Sequence, residues 1–248
     1  MGLRDLIVNK MLYYGVDTET YNNPSNGLKS IQIAGKDETL YLTVDDWNQS
    51  DDDIRMGISK KFIDWLDSKQ SHVSLAFFNL DFDFSQFAYY LIIQSGYQYI
   101  EHDGILKKGQ LRILESDRKL YKVEFINPYG KRILMVDIAN FLTATNLDKA
   151  CKDWLGKGKV SIDSKDFLKE PATDIEKEYA IADAVLTYEL YIKLLQSNVI
   201  EEKTVTIAGR TIRHFEQYLK DTWGISFNRF SWGTDDKELV AEYTAMAE

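Results

Sequence analysis

Asp17-Thr18-Glu19 places two carboxylates two residues apart. On a strand, residues i and i+2 point to the same face, so both acids would converge on one spot. Carboxylates leaving a buried strand repel unless a cation bridges them, and oxygen-rich sites of this kind suit magnesium or manganese. By itself an Asp-x-Glu is a common pattern. Asn79-Leu80-Asp81-Phe82-Asp83 is a second acidic group. It follows an apolar run and opens an apolar helix, so its acids sit at a positive helix end. The competing reading is an N-cap, which either Asp81 or Asp83 would satisfy. Tyr179-Ala180-Ile181-Ala182-Asp183 is the third. A spacing of four puts phenol and carboxylate on one helical face. Here the competing reading is a half-buried tyrosine beside an unrelated surface acid.

The elements that must carry these groups follow from the apolar pattern. Tyr13 to Val16 is a short buried run that reads as a first strand ending in Asp17. Residues 28–34 and 38–43 are β-rich and flank Gly35-Lys36-Asp37, a hairpin signature. Ile54, Ile58, Phe62 and Leu66 recur at helical spacing over 51–66, and Val73 to Phe78 is another apolar run. A helical period over 84–94 stops at Ser95-Gly96. Three β-rich stretches follow at 110–114, 121–126 and 132–136, the last two joined by the turn Asn127-Pro128-Tyr129-Gly130. Helices are predicted over 147–155, 175–195 and 205–219, with Ile181, Val185 and Leu186 among the core residues of the second. Strands first, with interspersed and then terminal helices, indicate an α/β or α+β layered domain. A shift in pattern after about residue 197 marks the start of an extension.

At 248 residues the chain is long enough for one large domain, with or without an extension. Its only cysteine, Cys151, excludes an intrachain disulfide, and its surroundings suggest a buried thiol on a helix. A reducing, cytoplasmic setting is the expectation. No stretch approaches the ~20 apolar residues that span a bilayer. The net charge of −9 argues against a non-specific duplex binder, which presents an excess of Lys and Arg. An enzyme holding a few nucleotides at a metal site needs less, because the metals supply local positive charge. The charge is also uneven: between Lys107 and Arg132 eight basic residues stand against Glu115, Asp117 and Glu124. A solvated hairpin face and a nucleic-acid contact both explain that excess.

Taken in order, Asp-x-Glu, Asn-x-x-Phe-Asp and Tyr-x-x-x-Asp resemble the exonuclease domain of family B DNA polymerases, in the class with four carboxylates and a tyrosine. Asp17-Thr18-Glu19-Thr20, Phe78-Asn79-Leu80 with Phe82-Asp83, and Glu178-Tyr179-Ala180 look most like the protein-primed subgroup of phages and related elements. Lys159-Val160-Ser161-Ile162-Asp163 is similar to that subgroup's lysine motif. The resemblance runs from about Tyr13 to Leu195, and more faintly through Asp236-Lys237-Glu238-Leu239-Val240.

The resemblance implies an RNase H-like fold, a mixed sheet of roughly five strands flanked by helices, over residues 1–200. Residues 201–248 would be a helical extension, or the start of a polymerase domain. It implies 3′–5′ exonuclease activity on single-stranded DNA ends, of the proofreading type, in the cytoplasm of a bacterial or virus-host cell. Asp17, Glu19, Asp83 and Asp183 would hold two magnesium ions, with manganese able to substitute. Two such ions about 4 Å apart can stabilise both the attacking and the leaving oxygens of a phosphoryl displacement. Tyr179 would orient the attacking water, Lys159 would steady charge on the phosphate, and Thr20, Asn79 and Phe82 would hold the 3′ strand. A polymerase domain and a terminal protein are the implied partners. Asp137-Ile138-Ala139 lacks the Ser-Leu found after the corresponding Asp in some relatives, and Asp137 reads as a helix cap. Asp81 reads as solvated. The acids after Asp183 do not compose a second metal site, so primer extension is not expected of these residues. The alternatives are a non-catalytic single-strand-binding replication module on the same fold, or a stand-alone nuclease acting on RNA. Mutually repelling buried acids speak against a mere binder.

Overall fold

In the computed structural model the described residues are 11–22, 26–101, 104–116, 119–144, 146–159, 168–200, 218, 220 and 221. Strand β1, Met11–Asn22, runs on through the acidic group instead of ending at Asp17. Tyr14 and Val16 bury one of its faces, so Gly15, Asp17 and Glu19 share the other. β1 pairs antiparallel with β2, Asn26–Gly35, and parallel with β4, His72–Phe77. β3, Thr39–Leu42, edges β2. Beyond β4 lies β8, Arg132–Asp137, in parallel. It is followed by β7, Lys119–Ile126, and β6, Gln110–Ser116, both antiparallel to their inner neighbours. The two-residue β5, Gln98–Tyr99, closes the order β3-β2-β1-β4-β8-β7-β6-β5.

Among the described residues the sheet is therefore mixed and eight-stranded, larger than the roughly five strands expected. The β6–β7 hairpin stays in it because Val123 and Phe125 bury their side chains in the same core as β8's Ile133 and Met135. Such alternation ties a strand to a packed face.

Helices cover both faces. α1, Asp51–Asp67, is capped by Ser50, whose side chain accepts from the Asp53 N–H. α2, Leu80–Tyr89, runs on into a π-helical turn, Tyr90–Gln94. Ile54, Ile58, Phe62, Phe84 and Phe87 from this pair meet Val16, Ile31, Ile33, Leu75 and Phe77 of the sheet. On the opposite face lie α3, Leu147–Leu155, and α4, Asp174–Gln196. There Cys151, Leu186, Leu190, Tyr191 and Leu194 pack with Ala76, Leu134 and Val136. Ile181 and Val185, expected in the core, are half-buried, because Ala180, Asp183, Ala184 and Thr187 take the inward side of α4. The result is a helix–sheet–helix α/β sandwich. Each face buries enough apolar side chain to hold its helices against the sheet.

The chain separates into two compact units, Met1–Val205 and Thr206–Glu248. The helix expected over 205–219 lies outside the described residues except at Tyr218, which is helical. Among the described residues no helix is long and apolar enough to cross a membrane.

A carboxylate cluster as candidate metal centre

The chain brings Asp183 to Asp17 by laying α4 directly on β1. Helix α4 starts at a capping box, in which the Thr173 side chain accepts from the Glu176 N–H and Glu176 accepts from the Thr173 N–H. It crosses β1 at Gly15, where a Cβ would stand 2.2 Å from the Tyr188 nitrogen and 2.4 Å from the Ala184 carbonyl oxygen. Only a residue without a side chain permits that approach. Two and four residues on, Asp17 and Glu19 face the helix, and Asp183 is the inward acid opposite them. One carboxylate oxygen of each lies within 4.8 Å of the others. Asp17 and Glu19 are half-buried and Asp183 is buried.

Asp83, expected as a fourth ligand, is not among the three acids whose oxygens converge; it lies on the other side of β1, where the Asp17 charge still acts on it. Thr18, between the two acids, points to the opposite face and donates its hydroxyl to Asp83 Oδ1 at 2.6 Å. Strand alternation alone sends Thr18 to that face, although nothing local marks it as more than a spacer between the two acids. Neither Asp81 nor Asp83 caps α2, contrary to the competing expectation. The cap position is Asn79, in the left-handed region at φ 85°, with no side-chain cap bond. Asn is among the few residues that adopt this conformation readily. Asp137 caps the short helix 138–141 as expected, accepting from Ala139 N at 2.9 Å, and also accepts from Asn79 N at 3.2 Å. The end of β8 thus holds the turn that aims α2. Asp83, in the first turn, is free to bury, whereas Asp81 and Phe82 stay exposed.

Two more expected residues meet Asp183. Lys159 Nζ donates to Asp183 Oδ2 at 2.6 Å. Its backbone is fastened by Lys159 N donating to Asp148 Oδ1 at 2.9 Å, after Gly156 ends α3 in the left-handed region. Tyr179, half-buried one turn before Asp183, hydrogen-bonds the same carboxylate. Thr20 is half-buried beside the irregularity that separates Glu19 from Thr20 in the β1–β2 pairing. Asn79 and Phe82 are exposed at the mouth of the α2 turn. One residue went unnoticed in the sequence: Lys29, fully buried, donates to Glu176 Oε1 and to the Leu168 carbonyl, both at 3.1 Å. Its charge acts on Glu19. No local pattern marks it, since a lysine in a strand is ordinarily solvated.

Burial and mutual repulsion shape the electrostatics. Burial first, and then the Asp183 charge, push Asp17 up to about 7. Burial, Asp17 and Asp183 push Glu19 up to about 8 against the pull of Lys159 and Lys29. Burial and Asp17 also raise Asp83 well above the carboxylate range. Burial raises Asp183 too, with Lys159 and Tyr179 opposing it. A crowded all-oxygen set that resists ionisation without a cation fits a hard divalent ion.

This crowding predicts an unusual pH dependence in the metal-free protein. Between the ordinary carboxylate range near pH 4 and about pH 8, the unfolded chain gives up these protons before the folded one does. Each raised acid therefore stabilises the fold at low pH, and that contribution is lost as pH rises through its folded value. Asp17→Asn should flatten the decline of Tm over this window. Magnesium should restore the wild-type Tm at pH 8 by a few degrees and act much less on the variant. Identical pH profiles for the two proteins in calorimetry would refute the coupling.

A mixed sheet lies between helical layers, and the acids gather on β1 where α4 crosses it, an α/β architecture that solved structures share. In particular the chain is similar to phi29 DNA polymerase. Against that polymerase complexed with primer-template DNA (post-translocation binary complex) the TM-score is 0.63 at 16% identity, covering 85% of this chain and 35% of the polymerase. Against the complex with single-stranded DNA it is 0.62 at 16% identity, covering 84% and 35%. The ternary complex with incoming nucleotide gives 0.58 at 14% identity, covering 85% and 34%. The chain thus spans about a third of those polymerase chains. At such identity the likeness shows the fold alone. No protein-family model and no curated protein sequence matches the chain.

Proposed function

We propose that this chain is a divalent-metal-dependent 3′–5′ exonuclease acting on single-stranded DNA ends, of the kind that proofreads for protein-primed family B polymerases. The observation that carries the reading is the convergence of Asp17, Glu19 and Asp183 on one spot, with Lys159 and Tyr179 both bonded to Asp183. The likeness to phi29 DNA polymerase supports it at the level of fold. We read the nuclease core, residues 1–200, as RNase H-like and residues 201–248 as an extension or the start of a polymerase domain. A polymerase domain and a terminal protein are its proposed partners.

Asp17, Glu19, Asp83 and Asp183 would hold two magnesium ions. When bound, such ions supply charge stabilisation at a phosphoryl displacement and ease ionisation of water. The chain's own side chains do the rest. Tyr179, anchored to Asp183, holds a water in line for attack. Lys159 fixes Asp183 and sets an ammonium beside the cluster, where phosphate charge develops. Exposed Phe82 stacks on a base without reading it, and the Asn79 amide and Thr20 hydroxyl hold the terminal nucleotide. Contacts of this type tolerate any sequence, as trimming requires.

A 5′-labelled DNA oligonucleotide should shorten stepwise in magnesium or manganese and stay intact in EDTA, whereas an RNA of the same sequence should persist. Undiminished cleavage in excess EDTA would sink the metal mechanism. Preference for the RNA would move the reading to a ribonuclease.

A further inference from the structure

Helices α1 and α2 lie on the same face of the sheet, and a cavity of about 420 Å³ is lined by both. Small-molecule sites occupy roughly 300–1,000 Å³. Asp52, Arg55 and Ser59 line it from α1 at steps of three and four residues, which is one helical face. Gln86 and Tyr89 line it from α2, and Tyr90 follows where the helix runs into its π-helical turn. Three polar atoms of these residues, Arg55 Nε, Ser59 Oγ and Gln86 Oε1, are buried without a hydrogen-bond partner among the described residues. Ser59 and Gln86 are only 1% and 8% exposed. The Gln86 amide nitrogen is committed, donating to Ser85 Oγ at 3.1 Å, so the oxygen is the unpaired end.

Polar groups withdrawn from water and left unpaired are destabilising, and apolar side chains would join two helices better. The three groups instead describe a ligand. Arg55 Nε–H only donates, Gln86 Oε1 only accepts, and the Ser59 hydroxyl does either. That hydroxyl rotates freely and the terminal amide torsion of Gln86 is soft, so small rotations present both to the cavity. Tyr89, 57% exposed, and half-buried Tyr90 supply aromatic walls. Arg55 is offset by Asp52, whose Oδ1 stands 3.8 Å from its Nη1, so an anion gains little there. The ligand that fits is flat and uncharged and carries a donor beside an acceptor, as nucleobase edges do.

We infer that the cavity between α1 and α2 is a nucleobase subsite, where a base packs against Tyr89 and Tyr90 and hydrogen-bonds to Arg55, Ser59 and Gln86. The choice of a nucleobase rests on the nuclease reading. Phe82, Gln86 and Tyr89 recur at steps of four and three along α2, so they form one stripe from the Asn79 turn to the cavity. Phe82 and Gln86 are about 6 Å apart along the helix axis. One strand can thus stack a base on Phe82 and turn a neighbouring base into the cavity. Every base offers a donor and an acceptor, so the subsite registers that a base is present without reading which.

The test is binding, in calcium, of short oligo-dT carrying one abasic nucleotide at successive positions from the 3′ end, with thymidine as the free nucleoside. In the unaltered protein the abasic nucleotide should weaken binding about tenfold at one internal position. Gln86→Leu and Ser59→Ala should weaken the intact oligonucleotide and show little further loss at that position, the signature of a shared contact. Both variants should keep or raise Tm, because they remove unpaired buried groups. A fall in Tm with unchanged binding would return the two side chains to a structural role and overturn the subsite. Thymidine binding lost in the variants, without a positional effect in the strand, would uphold the subsite with a free nucleoside as its occupant. Identical positional profiles in all three proteins, with no thymidine binding, would overturn it. Cleavage of the intact oligonucleotide in magnesium reports on the nuclease reading separately. Its absence overturns that reading and leaves the thymidine arm to decide the subsite, whereas cleavage with identical profiles and no thymidine binding overturns only the subsite.

Discussion

Asp17→Ala and Asp183→Ala are each expected to lower magnesium-dependent hydrolysis of a single-stranded oligonucleotide by about 10³-fold or more. Each removes one of three carboxylates whose oxygens gather within 4.8 Å, so the remaining acids no longer enclose a divalent ion. Asp183 carries a second burden, because Lys159 and Tyr179 both bond to it. Its loss frees an ammonium and a phenol together with the ligand. Tyr179→Phe should cost less, on the order of 10²-fold or below, since it leaves all the carboxylates in place and removes only a hydroxyl that orients water. Single-turnover rates separate these cases from effects on binding or product release. A Tyr179→Phe protein as inactive as Asp183→Ala would show that the phenol does more than position water. An Asp17→Ala protein with near-normal rates would remove the metal centre from the proposal.

Gly15→Val should be the most disruptive change remote from the acids themselves. Its side chain would have to enter the space held by the Tyr188 nitrogen and the Ala184 carbonyl, which are helix backbone and cannot rotate away. Helix α4 must then lift from β1, at a cost of about 3 kcal/mol or more by the scale of overpacked cores. For a unit of this size that is a fall in Tm of roughly 10 °C. Lifting α4 also carries Asp183 and Tyr179 away from Asp17, and a shift near 1 Å costs on the order of 10²-fold in rate. Gly104→Ala, where a Cβ meets nothing within 4 Å, should leave both quantities unchanged. Wild-type melting and cleavage in Gly15→Val would mean that α4 does not depend on this close approach.

What the sequence determined by itself is whatever a few neighbouring residues dictate. Alternation along β1 was enough to put Asp17 and Glu19 on one face, and helical spacing was enough to align Tyr179 with Asp183. The hairpin at Gly35-Lys36-Asp37, the turn at Asn127-Pro128-Tyr129-Gly130 and the helix over 147–155 follow from equally local rules. The tertiary structure decided the rest, because no window of sequence spans it. Residues 17 and 183 meet through the strand order and the bare backbone of Gly15. Thr18 finds Asp83 across 65 positions because β1 and α2 lie on the same core. The turn at Asn79 is held by Asp137, the last residue of a strand 58 positions on, so the local expectation of an aspartate cap failed. Lys29 carries no sequence signature at all. A lysine in a strand looks solvated until a long-range partner takes it out of water, and only packing supplies that partner.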